Sequence, residues 1–186
     1  MDKWAGASQP NSTEGGVDPA SGQGHERPML SSKAKYAVRA AAMLAERADA
    51  EEWTTTAEVA ERERIPRKFL EAIVVQLRDH GIVDSRRGSQ GGHRLSRDAA
   101  KISVADIIRI FDGPLALTPC ASVTRFRPCT DCVDIDACRL QHLMRQARDA
   151  VAGVLENCSL ASLAAPARKR QRTSRNTRAA ISARRS

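Results

Sequence analysis

The sequence predicts a mainly α-helical fold with one small β-hairpin, followed by a long helix. Three observations predict it. Apolar residues recur at helical spacing in several separate stretches. The period switches once, around a glycine-rich segment from Gly88 to Gly92. The 186 residues include three Phe, two Trp and one Tyr, so the core must come from Leu, Ile, Val and Ala, a supply that suits packed helices.

Ser31 and Ser32 precede an Ala-rich run in which Tyr36, Ala40, Met43 and Leu44 recur at helical spacing, giving a first helix that ends near Arg47. Thr54 to Thr56 offer caps for a short second helix with Ala57, Val59 and Ala60. A bend follows at Ile65-Pro66. Proline suits a first helical turn, and Phe69, Leu70, Ile73, Val74 and Leu77 extend a third helix that stops at Gly81. From Ile82 to Arg97 the period and the glycines read as a hairpin. Ser103 with Asp106 forms a capping-box signature opening a fourth helix through Val104, Ile107, Ile108 and Phe111, closed by Gly113-Pro114. From Arg139 to about Leu163, Leu140, Leu143, Met144, Ala147, Val151, Val154 and Leu155 mark one long amphipathic helix. It exceeds what a small core needs, so a partner helix is expected to cover its stripe.

Five segments follow: a disordered extension over 1–28, a helical and hairpin domain over 29–113, a cysteine loop over 114–138, a dimerisation helix over 139–165 and a disordered basic tail over 166–186. The net charge is +8, but the tail holds eight basic residues and no acid, which leaves the rest neutral. Whole-chain basicity therefore says little about partners. Local charge says more: Arg62 to Arg97 carries nine Arg or Lys against four acids. The first 28 residues resemble neither a secretion signal nor a membrane span, so a cytoplasmic protein without membrane association is expected.

Three short helices followed by a Gly-tipped hairpin are the parts of a winged helix-turn-helix, whose third helix enters the major groove of duplex DNA while the hairpin touches the backbone. Arg67 and Lys68 fall in the first turn of the third helix. Arg86, Arg87, Ser89 and Gln90 fall at the hairpin tip. These are the candidate DNA contacts, and their charges attract phosphate. The alternative for any one arginine is a merely solvated surface.

Cys120, Cys129, Cys132 and Cys138 form a C-x8-C-x2-C-x5-C pattern. Clustered cysteines in a reducing compartment are more often ligands or redox thiols than structural disulfides. Four thiolates satisfy a 2Fe-2S or 4Fe-4S cluster, or one zinc ion. Arg125, Arg127 and Arg139 lie close in sequence and are expected to lower the thiol pKa values. His142, four residues past Cys138, is a further candidate ligand, although a lone helical histidine is more often just part of an exposed face. Cys158 stands apart, as packing or a free thiol. Enzyme readings find no support: there is no phosphate-binding glycine loop after a strand, no Ser-His-Asp pattern and no paired carboxylates, and no small-molecule substrate is expected.

Four segments, MLSSKAKYAVRAAAMLA, IPRKFLEAIVVQLRDHGIV, RRGSQGGHRLSR and ISVADIIRIFDGP, together with the cysteine loop after them, resemble the IscR and NsrR type of winged-helix transcription regulators, the Rrf-two family, over roughly 29–165. The resemblance implies a homodimer paired through the helix after the cysteines, an iron-sulfur cluster that responds to iron, redox state or nitric oxide, and repression at an operator. It implies DNA recognition by Glu71 and Arg87. Cys120, Cys132 and Cys138 match the family's cysteines, but eleven residues separate Cys120 from Cys132 where about five are usual. Cys129 is extra. The first helix, Lys33 to Ala45, has no acid or histidine to lend as a ligand, which favours Cys129 as the fourth. Gln141 stands where one member places a ligand histidine, and His93 where the hairpin usually carries tyrosine. The alternatives are the same regulator with structural zinc or a thiol-disulfide switch, or an iron-sulfur protein that does not bind DNA.

Overall fold

The computed structural model describes residues 30–48, 53–88, 90–132 and 134–165. The expected extension and basic tail lie outside these. The element order is α1 (Ser32–Glu46), α2 (Thr56–Glu63), α3 (Arg67–Asp79), β1 (Val83–Arg86), β2 (Gly92–Leu95), α4 (Val104–Asp112), α5 (Arg139–Glu156) and α6 (Leu160–Ala164), with 3-10 turns at Ala99–Lys101 and Pro119–Ala121.

α1 is the hub. Ser31 caps it by accepting from the Ala34 amide. One face is then lined by Ala34, Ala37, Ala40 and Ala41, whose small side chains let neighbouring helices approach closely. With Met43 and Leu44 of the same helix, this face meets Leu70, Ile73 and Leu77 of α3, Ile107 of α4 and Leu160 of α6. α2 opens with a capping box, in which Thr55 accepts from the Glu58 amide while the Glu58 carboxylate accepts from Thr55. The expected capping box of α4 is present between Ser103 and Asp106. Such a cap stabilises a helix by about 1 kcal/mol. Between α2 and α3, Arg64 takes a left-handed conformation (φ 50°), which reverses the chain before Pro66 starts α3.

β1 and β2 are antiparallel, with Ser85 opposite His93 and Arg86 opposite Gly92. The hairpin is not alone, because Thr54 pairs with His93 through a single antiparallel bridge on the other edge of β2. Gly92 makes this approach feasible, since a Cβ there would stand 2.6 Å from the Thr54 carbonyl oxygen.

The long helix is shorter than its periodicity suggests. α5 stops at Glu156, and the Asn157 side-chain amide donates to the Gly153 carbonyl at 2.6 Å. The chain then runs extended through Cys158 and Ser159, where Ser159 pairs with Ser103 and caps α6. The apolar period continues past this point because Leu160 is apolar; tertiary packing instead pulls Leu160 into the core, where it is fully buried. Among the described residues no helix is long and apolar enough to cross a membrane.

Candidate DNA-reading face and cysteine loop

α3 divides into two faces. Leu70, Ile73, Val74 and Leu77 are buried against α1, while Arg67, Lys68, Glu71, Val75 and Arg78 face outward. Arg67 and Glu71 lie one turn apart with Nε to Oε1 at 3.4 Å, both well exposed. A surface pair of this kind contributes little to stability and is readily exchanged for other partners. Phe69 meets Tyr36 of α1 edge to face at 5.8 Å, which fixes the roll of α3 on the hub.

Arg86, Arg87 and Gln90 are exposed at the hairpin tip, and Ser89 lies outside the described residues. Gly88 has φ +106°, and a Cβ on Gly91 would fall 2.3 Å from the Arg86 carbonyl oxygen, so both ends of the turn require glycine. At the base of the hairpin, around the His93 that the sequence singles out, the structure adds Trp53, Arg94 and two hydroxyl partners. The Arg94 guanidinium stacks over Trp53 at 4.6 Å. The His93 ring bonds Thr56 and Ser85, each at 2.9 Å, and burial pushes its pKa below the usual histidine range. The run Thr54 to Thr56 was the available signal, but capping explains it equally well.

In the cysteine loop Cys120 is buried in a 3-10 turn, with its Sγ 3.3 Å from Thr118 Oγ1. Cys129, Cys132 and Cys138 are half-buried, and the Cys132 and Cys138 sulfurs are 3.9 Å apart. Cys129 lies between Cys120 and Cys132, and its thiol pKa is raised, chiefly by the Cys120 thiol. The Cys132 thiol is pushed up to about 11, chiefly by Cys138. Cys138 goes the other way: it caps α5, and the Gln141 amide donating to its sulfur lowers its pKa. The expected acidification by Arg125, Arg127 and Arg139 is therefore corrected. All three are exposed, and the one lowered thiol owes its shift to a helix N-terminus.

The four cysteines make a row of neighbouring thiols rather than a closed cage. Among the described residues no three His, Cys, Asp or Glu side chains form a metal-sized group. His142 is exposed, and its backbone N–H donates to the Cys138 carbonyl. Gln141, in contrast, is buried, and its side-chain amide donates to the Cys120 carbonyl at 3.2 Å, tying the start of the loop to the start of α5. Cys158 is remote in sequence, with its sulfur 3.7 Å from Ser162 Oγ.

A family model described as iron-dependent transcriptional regulator, Rrf2, matches residues 30–166. The chain belongs to the Rrf2 family. An rrf2-like HTH-type transcriptional regulator of Rhodobacter capsulatus is 38% identical over 120 residues, spanning 63% of this chain and 80% of the relative. The HTH-type transcriptional regulator IscR of Escherichia coli is 33% identical over 134 residues, or 72% of this chain and 78% of IscR. Among solved structures, CymR, the global cysteine regulator of B. subtilis, superposes with a TM-score of 0.60 at 29% identity, covering 73% of this chain and 95% of CymR. IscR of T. potens gives 0.56 at 28% identity, covering 71% of this chain and 82% of that one. This Rrf2 chain is a transcription regulator with the winged-helix fold of these relatives.

Proposed function

We propose that this Rrf2 regulator is a homodimer that binds an operator through α3 and the hairpin wing, its affinity being set by an iron-sulfur cluster held by Cys120, Cys129, Cys132 and Cys138. One observation carries the reading: the row of thiols reaches the first turn of α5, and the chain just beyond that helix is hydrogen-bonded to Ile102 and Val104, between the wing and α4. The donor set suits the group, since soft thiolates are the ordinary ligands of such clusters. When bound, a cluster supplies one-electron redox chemistry and sensitivity to iron supply, oxygen and nitric oxide.

The chain's own residues supply the coupling. Cys138 caps α5 and Gln141 grips the Cys120 carbonyl, so a change in loop shape is passed to the axis of an 18-residue helix. On α5, Leu140, Leu143, Val151 and Val154 are exposed along one stripe, a surface that a second copy would cover. On the reading face, Arg67, Lys68 and Glu71 address the groove, while Arg86, Arg87, Ser89 and Gln90 address the backbone and groove edge. Repression follows when the dimer occupies a promoter.

A second reading keeps DNA binding and makes the loop a disulfide switch, favoured by the 3.9 Å between the Cys132 and Cys138 sulfurs. A structural zinc ion is the third. Anaerobic purification with iron, sulfide and zinc analysis separates them, followed by DNA binding before and after oxygen or nitric oxide. Stoichiometric iron and sulfide with visible absorbance supports the cluster; a colourless, zinc-loaded or metal-free protein overturns it.

A further inference from the structure

His93 sits in β2, and its two ring nitrogens engage hydroxyls on two other elements. Nε2 lies 2.9 Å from Thr56 Oγ1, in the first turn of α2, and Nδ1 lies 2.9 Å from Ser85 Oγ on β1. Its backbone is paired with Thr54 in both directions, at 2.8 and 3.0 Å. One residue thus joins both strands of the wing to the helix that supports α3. The partner Ser85 directly precedes Arg86 and Arg87.

The chemistry suits a fixed brace. A neutral imidazole has one donating and one accepting nitrogen, and hydroxyls can take either role, so both bonds form in either tautomer. Burial favours this neutral form. Phenylalanine would fill similar space and make neither bond. The backbone pairing with Thr54 holds β2, and the ladder from Val83 to Arg86 holds β1 to β2; the ring adds a direct side-chain tie from β1 to α2 that the backbone does not make.

We infer that His93 is a positioning residue for the wing, holding Arg86 and Arg87 at a set height relative to α3 through Ser85 and Thr56. The inference rests on the DNA-reading function proposed above.

The test uses the full chain and two readouts. Trypsin cleavage after Arg86 and Arg87 reports wing order without DNA. Affinity and salt dependence are measured on duplexes that the unaltered protein selects from a random pool. In H93F, cleavage at the wing should accelerate severalfold while the unfolding midpoint changes little. Specific affinity should fall about five- to tenfold, the scale of one or two lost hydrogen bonds. The slope of log K against log salt should shrink by about one to two as the arginines leave their phosphates. T56V and S85A should each reproduce part of the loss, and H93F/T56V should be no worse than H93F. Unchanged cleavage in H93F, or losses from H93F and T56V that multiply, would overturn the inference. If H93F does not fold, the T56V/S85A double variant, which keeps the ring, takes its place: faster wing cleavage with weaker binding supports the inference, and unchanged cleavage overturns it. Failure of the unaltered protein to select any duplex would sink the DNA-reading proposal, and the trypsin result would still decide the role of His93.

Discussion

The Val104 amide donates to the Cys158 carbonyl at 2.8 Å, joining the first residue of α4 to the chain just beyond α5. Two residues away in each strand, the Leu160 amide donates to the Ile102 carbonyl, also at 2.8 Å, and Ser103 pairs with Ser159 between them. The end of the loop-capped helix is therefore stitched to the stretch between the wing and α4. Arg109 of α4 and Glu156 of α5 form an ion pair at the same junction.

Leu160 anchors that stitch, being fully buried beside α1. Leu160→Ala should destabilise the fold by about 2–5 kcal/mol, the usual range for truncating a buried leucine. Chemical denaturation at a fixed protein concentration measures it, because any dimerisation adds a concentration term. A loss below about 1 kcal/mol would mean that α6 is not part of the cooperative core.

The exposed stripe on α5 gives a second expectation. Leu143→Asp combined with Val154→Asp places two charges on apolar surface that is 55% and 70% exposed in the single chain. The monomer should fold normally, and sedimentation should show the dimer dissociating at concentrations where the unaltered protein stays paired. An unchanged dimer would move the interface elsewhere.

On the proposed reading face, α3 is expected to govern base preference and the wing overall affinity. Glu71→Ala should relax base preference on selected duplexes by about 1–3 kcal/mol at the affected position. Arg87→Ala should weaken all sequences more evenly and reduce the salt slope by about one. Fluorescence anisotropy across a salt series measures both, and identical behaviour of the two variants would contradict this division of labour.

Among the cysteines, Cys132→Ser should abolish iron and sulfide incorporation and leave the secondary structure intact, whereas Cys158→Ser should bind metal as the parent does. Metal analysis with circular dichroism checks this. Normal iron content in the Cys132 variant would remove it from the ligand set.

The depressed pKa of His93 has a defined sign. The unfolded imidazole titrates near 6.5 and the folded one lower, so the unfolded chain binds more protons between the two values. The contribution of this residue is fully retained above pH 6.5 and is lost as the pH falls through that value toward the folded pKa. Stability measured from about pH 7.5 to about 5 should decline with a component that His93→Phe removes. A slope identical in the two proteins would refute this assignment.

Much of this protein was legible in the sequence by itself. Local chemistry set the element order: the Ser103 and Asp106 capping box, Pro66 before α3, and the glycines of the hairpin each act on neighbouring residues and so leave a local mark. The four segments that carry the family resemblance, with a cysteine loop after them, likewise pointed to the Rrf2 family, although the spacing from Cys120 to Cys132 departs from its pattern. Only the tertiary structure decided where the long helix ends, since Leu160 continues the apolar period and its burial depends on α1, more than a hundred residues away. It also decided that Thr54 bridges to His93, that Gln141 grips Cys120, and that the lowered Cys138 thiol owes its shift to the helix N-terminus it caps rather than to the arginines. These are contacts between distant segments, whose energies depend on burial and direction. A pattern read along one chain carries neither.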